Sequence, residues 1–184
     1  MVTLENVHEH SSGQRRTGGF SLIELLIVVA IILIIAALAI PNFLQAKLQA
    51  NQASAASTVR TINTASAQYS ASWSNGFPPT LASLGSVGAT PTCNGAMVLD
   101  PSITTAPNQH SGYTFSYTGE GPTIPNPPAG CAAGYSSYLI TAMPNNAYTG
   151  TQSFCSDETM VLHYSSTGAA IATPAACEAL PVMQ

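Results

Sequence analysis

The polarity pattern of this chain changes once, near residue 41, and the change divides it. Sixteen uninterrupted apolar residues run from Leu25 to Ile40. With Leu22 and Ile23 ahead of them, the stretch is long enough to cross a bilayer as a helix. It carries one charge, Glu24, close to its start. Beyond Pro41 the continuous run gives way to a periodic one. Leu44, Leu48, Ala55, Val59, Ile62, Tyr69 and Trp73 recur at spacings of 4, 7, 4, 3, 7 and 4, which is one face of an amphipathic helix. Gln45, Gln49, Asn51, Gln52, Ser54, Ser57, Thr58 and Thr61 fill the other positions, and frequent alanines favour the helical state. The pattern predicts one helix from about Ser21 to Ser74, kinked near Pro41 where the ring removes a backbone hydrogen bond. Gly76 and Pro78-Pro79 stop it.

After the helix the period shortens. Thr80 to Leu84 reads as a helical turn. Four segments rich in β-branched and aromatic residues follow: Ala96–Leu99, Tyr113–Thr118, Ser137–Ala142 and Thr159–Tyr164. Several alternate, as in Tyr113-Thr114-Phe115-Ser116-Tyr117. Joints rich in Gly, Pro and Asn separate them, and Gly119-Glu120-Gly121 reads as a turn. Alternation implies an antiparallel sheet with one buried face, packed on the apolar stripe of the helix. The expected class is α+β: a long amino-terminal helix, its first half membrane-spanning, packed against a small four-stranded antiparallel sheet. The expected boundaries are 20–40 for the apolar half-helix, 41–75 for the amphipathic half and 76–184 for the globular part.

Composition narrows the functional classes. Charged residues make up 7% of 184 residues, against about 25% in ordinary soluble domains. The formal net charge is −4, and the four Lys/Arg (Arg15, Arg16, Lys47, Arg60) all precede residue 61. No basic stripe for nucleic acid is present. A surface polar through hydroxyls and amides suits packing against copies of itself, or O-glycosylation. No Asn-x-Ser/Thr sequon occurs.

The four cysteines, Cys93, Cys131, Cys155 and Cys177, all follow the apolar run and contain no C-x-x-C pair. Zinc sites usually take two ligands from one short knuckle. An even count in a low-charge exported domain points instead to two disulfides. Three connectivities are open; Cys93–Cys131 with Cys155–Cys177 is preferred because local loops close most readily.

Three readings fit the amino-terminal segment. One is a secretory signal with Arg15-Arg16 as its charged region, which also resembles a twin-arginine signal, and Ala37-Leu38-Ala39 as the cleavage site. Another is a plain membrane anchor. The third is a leader cut before the apolar stretch, between Gly19 and Phe20. Glu24 favours the third. A carboxylate in the hydrocarbon costs about 2.5–3.5 kcal/mol on insertion scales, and neither a signal nor an anchor gains from it. A cut after Gly19 creates an α-amine at Phe20, one helical turn from Glu24 and near the positive end of the helix dipole. In a polymer the carboxylate can neutralise the amine of a neighbouring subunit, and a buried charge so paired is tolerable.

Gly19-Phe20-Ser21-Leu22-Ile23-Glu24-Leu25, with basic residues upstream and Pro41 at the end of the run, resembles the cleavage and methylation motif of type IV prepilins and the related type II secretion pseudopilins. One departure is Arg16-Thr17 before a double glycine, where the family usually has a basic residue directly before a single one. The resemblance implies a leader over residues 1–19, cleavage and N-methylation at Phe20 by a prepilin peptidase, and helical self-assembly involving Phe20 and Glu24. It also implies an inner-membrane assembly platform as partner. The precursor would cross the inner membrane once with its amino terminus cytoplasmic, in accord with Arg15 and Arg16 on that side. After assembly the subunit would lie in a surface pilus or a periplasmic pseudopilus. The segment Cys155–Cys177 resembles the disulfide-bounded carboxy-terminal region of type IV pilins, a surface for subunit contacts and adhesion.

Other chemistry is weakly signalled. His8-Glu9-His10 lies in the expected leader. His110 and His163 stand apart, and His163 reads as a structural histidine. No nucleophile elbow, zincin or phosphate-binding signature occurs. Asp100 and Asp157-Glu158 lack the dense oxygen-ligand run of a calcium loop. Trp73, Phe43 and Tyr69 read as core or subunit-contact residues. No enzyme, metal or cofactor is expected.

Overall fold

The computed structural model describes residues 19–183. The expected leader up to residue 18, with Arg15, Arg16 and His8-Glu9-His10, lies outside the described residues. The chain divides into two compact units, one ending at Pro41 and the other beginning at Asn42. Helix α1 runs from Leu22 to Trp73 with Pro41 inside it. Its bounds fall within one residue of the pattern's expectation at each end.

In the first unit the helix is exposed along its length apart from a half-buried Ala36. Leu25, Ile31, Leu33, Ile35 and Ile40 each keep half or more of their surface uncovered. Leu22–Trp73 is a helix long and apolar enough to cross a membrane.

In the second unit α1 is followed by a 3-10 turn at Leu81–Leu84, helix α2 at Pro101–Thr104, strands β1 (Gln109–His110), β2 (Tyr113–Thr123), β3 (Tyr135–Pro144), β4 (Ser153–Asp157) and β5 (His163–Ser165), and helix α3 at Pro174–Glu178. The strands form one antiparallel sheet in sequence order β1-β2-β3-β4-β5. The architecture is α+β as expected, with five strands in place of four.

The sheet has two unequal faces. On one, Tyr113, Phe115, Tyr138, Ile140, Ala142 and Phe154 meet Ala55, Val59, Ile62, Ala65 and Tyr69 of α1. The alanines let the helix approach closely, and the larger residues fill the space between backbones. On the other face a smaller cluster joins Leu139, Cys155, Ile171 and Cys177, with Leu180 against it. The carboxy-terminal segment supplies this cover. Two disulfides, Cys93–Cys131 and Cys155–Cys177, span Cα separations of 5.6 and 5.9 Å.

Three local expectations fail for identifiable reasons. Ala96–Leu99 is not a strand: its amides donate to the carbonyls of Ser83, Leu84 and Gly85, and Met97 has φ of 57°. The segment therefore closes the 3-10 turn. Thr159–Tyr164 contributes only His163 and Tyr164 to β5, because Asp157 caps a turn through the Thr159 amide at 2.9 Å and Met160 has φ of 61°. Gly119-Glu120-Gly121 is not a turn but the continuation of β2, with an irregularity between Glu120 and Thr123. A side chain at 119 would enter the ring of Tyr135, so glycine here serves packing. Strand β4 was not foreseen. All five of its residues are buried, so it shows no alternation to read.

Candidate assembly segment

The segment of interest is the start of α1. Gly19, Phe20 and Ser21 precede the helix, and Phe20 is 80% exposed. A Cβ placed on Gly19 meets nothing within 4 Å. The bond between Gly19 and Phe20 thus lies ahead of the helix on exposed chain.

Ser21 caps the helix. Its carbonyl accepts the first helical bond, from the Leu25 amide at 3.2 Å. Its own amide donates to Glu24 Oε2 at 3.1 Å. This is the return half of a capping box, in which an acidic residue three positions into the helix satisfies the amide of the capping residue. Glu24 therefore has a local partner. The sequence placed Glu24 near the positive end of the helix dipole and opposite a neighbour's amine but missed this hydrogen bond, which the Ser-x-x-Glu spacing of Ser21 and Glu24 signals.

The other candidates are distributed through the second unit without forming a site. His163 is buried, its Nδ1 2.7 Å from the carbonyl of Leu180, and it ties β5 to the carboxy-terminal segment. His110 lies exposed on β1. Asp100 caps α2 by accepting the Ser102 amide at 2.8 Å, and its bonds to Ser102 hold its carboxyl below the usual range. Asp157 is buried while Glu158 is exposed. No group of three or more His, Cys, Asp or Glu gathers for a metal among the described residues. Tyr69 is core, its hydroxyl donating to the Cys93 carbonyl at 2.8 Å. Trp73 packs half-buried at the core edge, and Phe43 is 68% exposed. The rings of Tyr117 and Tyr138 stack at 5.4 Å, and Phe77 meets Tyr138 edge-on at 4.7 Å.

A family model described as the prokaryotic N-terminal methylation motif matches residues 14–40. The amino-terminal segment of this chain is similar to that motif of type IV prepilins. The pilin-like stretch contains Gly19, Phe20 and Glu24. The chain is also 46% identical over 54 residues to the type IV major pilin protein PilA of Myxococcus xanthus (strain DK1622). That alignment takes in 29% of this chain and 24% of the Myxococcus protein, so the chain spans about a quarter of the curated relative it matches. No solved structure matches.

Proposed function

We propose that this chain is a structural subunit of a type IV pilus. Residues 1–19 form a leader that a prepilin peptidase removes between Gly19 and Phe20, and the new amine of Phe20 is then methylated. Residues 20–40 hold the precursor in the inner membrane, with the amino terminus cytoplasmic. An assembly platform in that membrane transfers the subunit into a self-polymer. There the apolar half-helix is covered by its counterparts, and Glu24 pairs with the Phe20 amine of a neighbour. Residues 41–75 carry the head formed by 76–184, with Pro41 as the site of a bend.

One observation carries this reading. A single carboxylate occupies the first turn of a helix whose apolar first part is almost entirely exposed, four residues after Phe20. An exposed helix of that polarity needs cover from lipid or from copies. A carboxylate within it needs a positive partner once its surroundings become dry. The similarity to a major pilin agrees with a filament subunit.

The test is amino-terminal sequencing of the mature protein, combined with mechanical shearing of surface fibres. The expected product begins at N-methyl-phenylalanine 20 and is recovered in the sheared fraction. A mature chain beginning at Ile40, after the small residues that end a secretory signal, overturns the reading.

A further inference from the structure

The chain holds two Asn-Gly steps, Asn75-Gly76 and Asn94-Gly95. Both asparagines grip the same short segment. Asn75 Nδ2 donates to the Ala132 carbonyl at 2.7 Å, and its Oδ1 accepts the Gly134 amide at 3.4 Å. Asn94 Nδ2 donates to the Gly130 carbonyl at 2.8 Å, and its Oδ1 accepts the Ala132 amide at 3.4 Å. The disulfide Cys93–Cys131 sits inside this second grip, since Cys93 precedes Asn94 and Cys131 lies between Gly130 and Ala132.

Asn-Gly is the step at which a backbone nitrogen most readily attacks the side-chain amide before it. Glycine has no Cβ to shield that nitrogen, and its backbone bends freely toward the asparagine. The fold opposes the attack at Asn94 in two ways. The Gly95 amide is committed to the Thr92 carbonyl at 3.0 Å, in a tight turn closed by the Thr92 amide on the Gly95 carbonyl at 3.0 Å. The Asn94 amide is held by the facing segment. Yet Asn94 is exposed, whereas Asn75 is completely buried. The disulfides differ in the same sense: Cys155 and Cys177 are completely buried, while Cys131 is only half-buried. An attacking thiolate reaches the accessible bond first.

We propose that Asn94-Gly95 is a latent modification site locked by Cys93–Cys131, the bond that ties its loop to the segment gripping the Asn94 amide. Exchange with a dithiol reductant leaves Cys93 and Cys131 as thiols and oxidises the reagent to its own disulfide. The loop then parts from residues 130–132, and Asn94 is released. The Gly95 nitrogen gives its proton to solvent base and bonds to Asn94 Cγ. The bond from Cγ to Nδ2 breaks, and Nδ2 leaves as ammonia. Water opens the resulting succinimide to aspartate or isoaspartate. The new carboxylate only accepts hydrogen bonds and cannot donate to the Gly130 carbonyl, so the change is one-way. The inference is independent of the pilus reading.

The experiment holds the full-length protein in detergent at mildly alkaline pH, with and without dithiothreitol. Peptide mapping by mass spectrometry reads aspartate and isoaspartate at positions 94 and 75 over time. The double variant Cys93→Ser, Cys131→Ser is followed beside it without reductant. Conversion at 94 should rise roughly tenfold on reduction and in the double variant, about the population shift that losing one hydrogen bond brings. Position 75 should stay unconverted. Equal conversion at 94 with the disulfide intact overturns the proposal, as does no conversion once it is open. Conversion at 75 in step with 94 reports loss of the whole fold and overturns the local lock.

Discussion

Asn63 of α1 donates to Ser156 of β4 across 2.7 Å in a site where both residues are buried. Its oxygen accepts the Tyr138 hydroxyl at 3.1 Å, and Ser156 passes its own proton to the Val161 carbonyl at 2.8 Å. This polar chain crosses the helix–sheet interface amid apolar neighbours and fixes the register of helix on sheet. Burial also pushes the hydroxyl of Tyr138 well above its ordinary pKa, with the nearby acids Asp157 and Glu158 adding to the effect.

Replacing Asn63 by Leu leaves the Tyr138 hydroxyl buried without an acceptor. The expected loss is about 2–3 kcal/mol, the cost of stranding a buried polar group. Adding Tyr138→Phe removes the orphan and recovers part of that loss, while Ser156 keeps the Val161 carbonyl. Denaturant unfolding of the two single variants and the double variant checks this. A double variant whose loss equals the sum of the singles would show that the groups do not act as a unit.

The disulfide Cys155–Cys177 closes the cover over the second face of the sheet, where both cysteines are completely buried. Its removal by paired alanine substitution should cost about 3 kcal/mol through the entropy of the unfolded chain. It should also loosen the contacts of Ile171 and Leu180 with Leu139. Hydrogen exchange should show faster exchange in residues 166–183 than in β2 and β3. Uniform acceleration throughout the head would instead assign the bond to the whole fold.

Gly134 lies where the chain returns to the sheet beside the end of α1. A Cβ there would strike the carbonyl oxygens of Asn75 and Phe77. Both are backbone atoms and cannot turn aside, and Phe77 and Tyr135 exchange bonds of 2.9 and 3.0 Å next to them. Gly134→Ala should therefore destabilise by more than about 3 kcal/mol, at the severe end for one substitution. A melting temperature close to wild type would contradict this.

Burial raises the phenols of Tyr69, Tyr113, Tyr117 and Tyr138, that of Tyr113 up to about 12. In the unfolded chain each loses its proton near 10. The folded state holds these protons longer, so stability is complete below pH 10 and falls as pH rises from 10 toward 12 and beyond. Tyrosinate absorbance should then appear together with loss of tertiary circular dichroism, in one cooperative step. Gradual ionisation of these four tyrosines with the fold intact is the contrary result.

Glu24 has two candidate tasks, and one substitution separates them. Glu24→Gln keeps an oxygen for the Ser21 amide but removes the charge. If pairing with a neighbour's amine governs assembly, Gln and Ala variants remain in the membrane and both give little sheared filament. Filament from the Gln variant equal to wild type would leave capping as the function of Glu24.

The amino-terminal half of the protein was legible as a sequence because its determinants are local. An apolar run, a period near 3.6 and terminal Gly and Pro signals are read within a few residues, and α1 follows them closely. Strand β2 was legible because one face of its first half meets the helix and its residues alternate, and β3 because it is a short run of aromatic and β-branched residues between Gly- and Pro-rich joints, although residues 138–142 are buried on both faces. The methylation motif is likewise a fixed order of adjacent residues.

What tertiary structure decided is where a second surface intervenes. Strand β4 is buried on both faces by the helix-facing core and by the carboxy-terminal cover, which erases its alternation. Ala96–Leu99 has strand-like residues, but its amides find nearer acceptors in the preceding turn. Leu44 falls on the apolar stripe yet remains exposed, because the stripe records which residues can be buried and not how far the head reaches along the helix. Composition and period thus determined the elements and the amino-terminal segment. The packing of distant segments alone determined which surfaces were covered and which, like Leu44 and Tyr148, stayed exposed.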